Sequence, residues 1–204
     1  PEEMTRVLDE VGIVFMFAPL LHPAMRHVGP VRRELGFPTV MNILGPLTNP
    51  AGVRRHLVGV ADAELVPLVL EALTELGHRR ALGVHGEAGL DEVSPMGPTD
   101  VAELQDGMVS RYTVRPEDFG LASCTAEEVA GGEPEENAQV SMSVLQGDRQ
   151  GGARSAVLLN AGAAIYVSGV ADTLEDSVKL ADHALDDGKA LKALDLLRTA
   201  TRAS

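Results

Sequence analysis

The chain contains no tryptophan, and aromatic residues make up only 3% of its 204 positions. A core without large rings has to be built from aliphatic side chains. Hydrophobic residues reach 45%, which is a globular composition and not a disordered one. Cysteine occurs once, as Cys124, so no internal disulfide can form and the chain reads as cytoplasmic. Positive charge is scarce: 17 Lys and Arg against 30 Asp and Glu leave a net charge of -13. Neutralising nucleic-acid phosphates needs clustered cations, so no nucleic acid is expected as a partner. A local basic pocket for a small anion remains compatible with that balance. There is no apolar run long enough to span a bilayer and no charged-then-apolar opening segment, so no membrane partner is expected either. The length suits one sizeable domain, or one domain with an appended helical piece.

Pro1-Glu2-Glu3-Met4 opens with proline and two acids, a helix-start pattern without an initiator methionine, and reads as a start in mid-protein. Residues 3–11 place Met4, Val7, Leu8 and Val11 on one helical face, and Gly12 stops it. Ile13 to Phe17 is continuously apolar and predicts a buried strand. His22 to Leu35 predicts a helix entered through Pro23, and Thr39 to Leu44 a short apolar segment before the Asn49-Pro50-Ala51-Gly52 turn. His56–Val60 and Arg80–Val84 predict strands, joined by a helix that Asp62 caps and Gly77 ends. That βαβ pattern implies parallel pairing. Asp106-Gly107 between Val101–Leu104 and Met108–Val114 is a hairpin signal. Pro116–Gly132 reads as loop with a short helix after Thr125. The last third reads as helices over 137–145, 153–168, 173–185 and 189–201. The fold class expected is α/β, a largely parallel sheet flanked by helices.

Chemistry concentrates in a few stretches. His22 to Gly36 puts His22, His27, Arg26, Arg32 and Arg33 on one predicted helix of an acidic chain. A buried Arg32 could grip a carboxylate with its planar fork; a solvated basic face is the plainer reading. Asn42-Ile43-Leu44-Gly45-Pro46-Leu47-Thr48-Asn49-Pro50 makes a compact turn. A flat ligand could approach its backbone at Gly45, where no Cβ intervenes, or the turn could be a plain connector. His85-Gly86-Glu87-Ala88-Gly89-Leu90-Asp91-Glu92-Val93-Ser94 follows a predicted strand directly. Sites in parallel sheets gather at strand carboxyl ends. Adjacent Asp91 and Glu92 offer the oxygen ligands that Mg²⁺ takes beside water and substrate phosphates; two solvated acids in a glycine-rich loop are the alternative.

Taken together, Phe17-Ala18-Pro19, His22-Pro23-Ala24-Met25, Val31-Arg32, the run from Asn42 to Pro50, Val84-His85-Gly86 and Leu90 to Ser94 closely resemble the anthranilate phosphoribosyltransferase family. Pro116 to Leu121 and Leu158-Leu159-Asn160-Ala161 look like it too, so the resemblance covers nearly the whole chain in order. It implies a nucleoside phosphorylase/phosphoribosyltransferase-like large domain, with residues 1–204 forming its C-terminal α/β part. It implies transfer of 5-phosphoribosyl from 5-phosphoribosyl diphosphate to anthranilate, in tryptophan biosynthesis, with Mg²⁺ as cofactor and a homodimer as the full-length state. By the same resemblance Arg32 binds the anthranilate carboxylate, His22, Met25 and Gly45 line the anthranilate channel, and Asp91 and Glu92 help hold Mg²⁺ on the diphosphate. No residue is implied to be a catalytic nucleophile, and Cys124 reads as a packing or surface residue.

The chain departs from the family pattern at Leu21, where many members carry a second histidine. It also lacks the Gly-Thr-Gly-Gly-Asp loop, the Asn-x-Ser-Thr cradle and the Lys-His-Gly-Asn segment, which in the family precede the part matched here. Those segments supply phosphate donors, so the chain alone is expected to be inactive. Two other readings are a pyrimidine nucleoside phosphorylase-like enzyme and a nucleic-acid-binding relative of the same fold. The Leu-Gly-Pro-Leu-Thr-Asn-Pro turn speaks against the first and the charge of -13 against the second.

Overall fold

The computed structural model describes residues 2–17, 21, 34, 44, 45 and 47–202. They group into two compact units, one of residues 1–50 with 189–204 and one of residues 51–188. The predicted helix from His22 to Leu35 and the segment from Thr39 to Leu44 fall almost wholly outside the described residues.

In the first unit, helix α1 (Glu2–Val11) buries Val7 and ends where Gly12 turns with φ 82°. It packs on the chain's last helix, Lys189–Arg202 (α7 below), and Arg6 Nη2 donates to the Ala200 carbonyl at 2.9 Å. The predicted strand at 13–17 is corrected: this segment is irregular, with Phe15 72% exposed. A strand needs a neighbour for its N–H and C=O groups, and no described strand pairs with it. Apolar content alone does not distinguish a strand from coil.

The second unit is a sheet between helical layers. Its elements are β1 (Arg55–Gly59), α2 (Val66–Glu75), β2 (Arg80–Gly86), β3 (Thr99–Gln105) and β4 (Met108–Val114). There follow α3 (Ala126–Val129), α4 (Pro134–Leu145), α5 (Gly152–Ser168) and α6 (Leu174–Asp186), with α7 (Lys189–Arg202) in the other unit. The βαβ reading holds: β1 and β2 run parallel with Leu57 opposite Leu82, and Asp62 caps the 3-10 turn that leads into α2.

The sheet order is β1-β2-β3-β4, and the other two pairings are antiparallel, so the sheet is mixed and not largely parallel. The cause is local. Residues 87–98 carry Gly89, Pro95, Gly97 and Pro98 and form no crossover helix, so β3 returns alongside β2 in the opposite sense. Asp106 and Gly107, both at positive φ (51° and 81°), then close the β3–β4 hairpin in a left-handed turn.

Strand alternation sends side chains to two faces. On one, Val66 and Leu70 of α2 press on Gly83, where a Cβ would lie 2.2 Å from Leu70 Cδ2. On the other, Leu82, Val84, Val101 and Val114 pack with Leu159, Ala163, Tyr166 and Val167 of α5. Each Val or Leu among them, fully buried, contributes roughly 1.5–3 kcal/mol. α6 lies close on α5 at Gly162, and buried Arg154 of α5 pairs with Asp182 and Asp186 of α6 at 2.6 and 2.7 Å. Among the described residues no helix is long and apolar enough to cross a membrane.

Candidate functional site

The parallel strands β1 and β2 end side by side, and the loop 87–98 folds over those ends. At its entry Gly86 N donates to the Leu90 carbonyl at 2.8 Å and Gly89 N to the Gly86 carbonyl at 2.8 Å. The loop then crosses β1: a Cβ on Gly59 would sit 1.6 Å from the Asp91 carbonyl oxygen, so only glycine lets the two backbones touch. Farther on, the Ser94 amide donates to Thr99 Oγ1 at 2.8 Å and Ser94 is buried. Asn160 of α5 bonds both backbone groups of Val93, accepting at 2.9 Å and donating at 3.0 Å.

The result is a fixed backbone that presents two exposed acids, Asp91 and Glu92. Beside them, half-buried His85 places Nδ1 2.8 Å from the Val60 carbonyl. A carbonyl only accepts, so Nδ1 carries a proton in this contact.

No group of three or more His, Cys, Asp or Glu side chains able to hold a metal occurs among the described residues. A pair of carboxylates does not enclose a cation. It does suit Mg²⁺, a hard ion that takes one or two protein carboxylates and fills its other positions with water and phosphate oxygens. The donor chemistry of Asp91 and Glu92 therefore fits that ion.

Of the other residues singled out from the sequence, Gly45 lies in the first unit, where Thr48 Oγ1 and N close a turn on the Leu44 carbonyl. Among the described residues, a Cβ at Gly45 would meet nothing within 4 Å. His22, Met25 and Arg32 lie outside the described residues. Cys124 is partly buried; its Sγ is 2.9 Å from where a Cβ on Gly152 would sit, and burial pushes its thiol up, away from the reactive thiolate. Sequence reasoning gave no role to Gly59 or Asn160. The available signal was a single amide in the otherwise apolar run Val157-Leu158-Leu159-Asn160-Ala161.

A family model described as "Glycosyl transferase family, a/b domain" matches residues 1–191. The chain belongs to that family. It is 52% identical over 195 residues to the anthranilate phosphoribosyltransferase of Rubrobacter xylanophilus, a match covering 96% of this chain and 57% of that protein. The enzyme of the same name from Methanobrevibacter smithii is 46% identical, with 96% and 58% covered. Among solved structures, anthranilate phosphoribosyltransferase from Thermus thermophilus superposes with a TM-score of 0.90 at 42% identity, over 97% of this chain and 60% of that one. The Saccharomyces cerevisiae enzyme in complex with PRPP and Mg superposes with a TM-score of 0.90 at 28% identity, over 100% and 58%. The resemblance read from the motifs is thus borne out, as is the α/β fold of this family. The chain spans under two thirds of the length of these relatives.

Proposed function

We propose that this chain is the C-terminal α/β part of an anthranilate phosphoribosyltransferase that transfers 5-phosphoribosyl from 5-phosphoribosyl diphosphate to anthranilate and releases diphosphate. The observation that carries the reading is the rigid loop at the ends of β1 and β2, which holds Asp91 and Glu92 exposed and side by side in sequence. Relatives of the same name, one of them solved with PRPP and Mg, support it. On this reading the full-length enzyme acts in tryptophan biosynthesis, in the cytoplasm, as a homodimer. Phosphate-binding segments absent from these 204 residues complete the site, so the chain alone does not turn over.

Breaking the bond from ribose C1 to diphosphate builds positive charge on the sugar and negative charge on the leaving group. Asp91 and Glu92 would hold Mg²⁺, which when bound supplies charge to neutralise the leaving oxygens. The anthranilate amine then attacks C1. Arg32 would grip the anthranilate carboxylate and aim the amine, while His22, Met25 and Gly45 line its approach; orientation of this kind lowers barriers by several kcal/mol.

The test uses an enzyme of the relatives' full length that carries this chain. Diphosphate release should require anthranilate, 5-phosphoribosyl diphosphate and Mg²⁺ together; phosphorolysis of thymidine instead would overturn the assignment. Arg32→Ala should raise KM for anthranilate by one to two decades, since a charge-assisted contact is worth roughly 1.5–3 kcal/mol. An unchanged KM and kcat/KM would return Arg32 to a solvated helix face.

A further inference from the structure

We infer that Asn160 is a positioning residue for the acidic pair, acting through the backbone of Val93. The inference rests on the proposed role of Asp91 and Glu92 as the residues that hold the metal. Asn160 sits on α5, 67 positions from Val93 in sequence, yet its side-chain amide meets both backbone groups of that residue. Oδ1 accepts from the Val93 N–H at 2.9 Å, and Nδ2 donates to the Val93 carbonyl at 3.0 Å and to the Ala156 carbonyl of its own helix at 3.0 Å. An N–H requires an acceptor and a carbonyl requires a donor, so the contacts themselves orient the amide.

The two bonds lock the peptide planes on either side of Val93. The first plane contains the Glu92 carbonyl, so it sets the direction in which the chain leaves Glu92. From the other side, Asp91 is held by backbone contact with Gly59 and by the Gly86–Leu90 hydrogen bond. The acids therefore hang between two anchors, one on β1 and β2 and one on α5. Val93 is buried, at 6% exposure, so water does not readily replace the amide.

Leucine, alanine and aspartate do not do the same work at this position. Leucine or alanine leaves a buried N–H and C=O unpaired. Aspartate turns an oxygen toward the carbonyls of Val93 and Ala156. A polar residue amid Val157, Leu158, Leu159 and Ala161 has no packing rationale of its own, and the clamp supplies one.

The experiment compares Asn160→Ala, Asn160→Asp and the double variant Asp91→Asn/Glu92→Gln with wild type, in an enzyme of the relatives' full length carrying this chain. The readouts are hydrogen exchange at the Val93 amide without ligands, and the Mg²⁺ concentration that gives half-maximal rate. Residues that orient metal ligands typically cost 10–100-fold in metal affinity. Asn160→Ala should exchange Val93 faster, and both Asn160 variants should need roughly tenfold more Mg²⁺, with KM for anthranilate within about twofold of wild type. A purely structural Asn160 would lower the melting temperature and leave the Mg²⁺ curve in place, which overturns the inference. If Asn160→Ala does not fold, Asn160→Asp decides alone by the Mg²⁺ curve. An unmoved Mg²⁺ curve in Asp91→Asn/Glu92→Gln refutes the metal role itself. A shift there with none in either Asn160 variant refutes only the positioning role.

Discussion

The buried carboxylate of Glu103 offers a direct measure of what holds the sheet to α5. Glu103 is 7% exposed and accepts two hydroxyl hydrogen bonds, from Tyr166 on α5 at 2.7 Å and from Tyr112 on β4 at 2.9 Å. The Arg80 guanidinium lies 3.9 Å over the Tyr166 ring. Burial, with Glu103 beside them, pushes both tyrosines above their ordinary range, Tyr112 well above it, so each hydroxyl keeps its proton and remains a donor. Tyr166→Phe removes the hydroxyl and keeps the ring face for Arg80, so the loss is chiefly that of the bond to the carboxylate, about 1.5–3 kcal/mol, with the hydroxyl's own contact to Arg80 included. Tyr112 reaches the other carboxylate oxygen, and burial desolvates its hydroxyl as well, so Tyr112→Phe should cost a similar amount. Removing both hydroxyls leaves a buried charge without a donor, so the double variant should lose more than the sum of the singles. In urea, with a slope of about 1–3 kcal/mol/M, a 2 kcal/mol loss moves the midpoint by about 1 M at constant slope. The assay is unfolding of the 204-residue chain by circular dichroism. A Tyr166→Phe loss under about 0.5 kcal/mol, the range of ordinary surface changes, or strict additivity in the double variant would refute this account of the cluster.

Further outcomes follow from other sites in the same unit. His56 stacks on His78 with ring centroids 5.6 Å apart, and burial, then the neighbouring imidazole, lowers its pKa from the ordinary 6.5. The unfolded chain therefore takes up a proton as pH falls through 6.5 while the folded His56 stays neutral, so its share of stability is whole above 6.5 and is lost below it. Melting temperatures between pH 7.5 and 5 should fall more steeply for wild type than for His56→Leu; equal slopes would count against the lowered value. Gly83→Ala should cost about 1–3 kcal/mol through overpacking, because the new Cβ would meet buried Leu70 Cδ2 at 2.2 Å. A melting temperature equal to wild type would show that α2 shifts freely.

What the sequence made legible was local. The βαβ pattern, the Asp106-Gly107 hairpin and the helices of the last third depend on periodicity and on residues with special backbone geometry, and each stands where it was expected. The strand expected at Ile13–Phe17 failed because pairing depends on a neighbour that a run of five apolar residues does not specify. The sheet's direction after β2 was set by the loop 87–98, whose glycines and prolines disfavour a helix, a feature present in the sequence but outweighed by the βαβ signal. At the site, Asp91 and Glu92 were visible as an adjacent acidic pair after a strand. The contacts that fix their backbone were not visible, since Gly59 and Asn160 come from β1 and α5 and meet the loop only through the tertiary fold.

The proposed chemistry depends on the acidic pair. The deciding measurement is a Mg²⁺ titration of initial rates for Asp91→Asn/Glu92→Gln beside wild type, in an enzyme of the relatives' full length carrying this chain. Both acids are exposed loop residues, so the melting temperature should change little, with stability within about 0.5 kcal/mol. Turnover should fall strongly and the half-maximal Mg²⁺ concentration should rise, because the cation loses charged oxygen ligands. Titration curves that superimpose on wild type would contradict the assignment and leave Asp91 and Glu92 as solvated acids on a well-anchored loop.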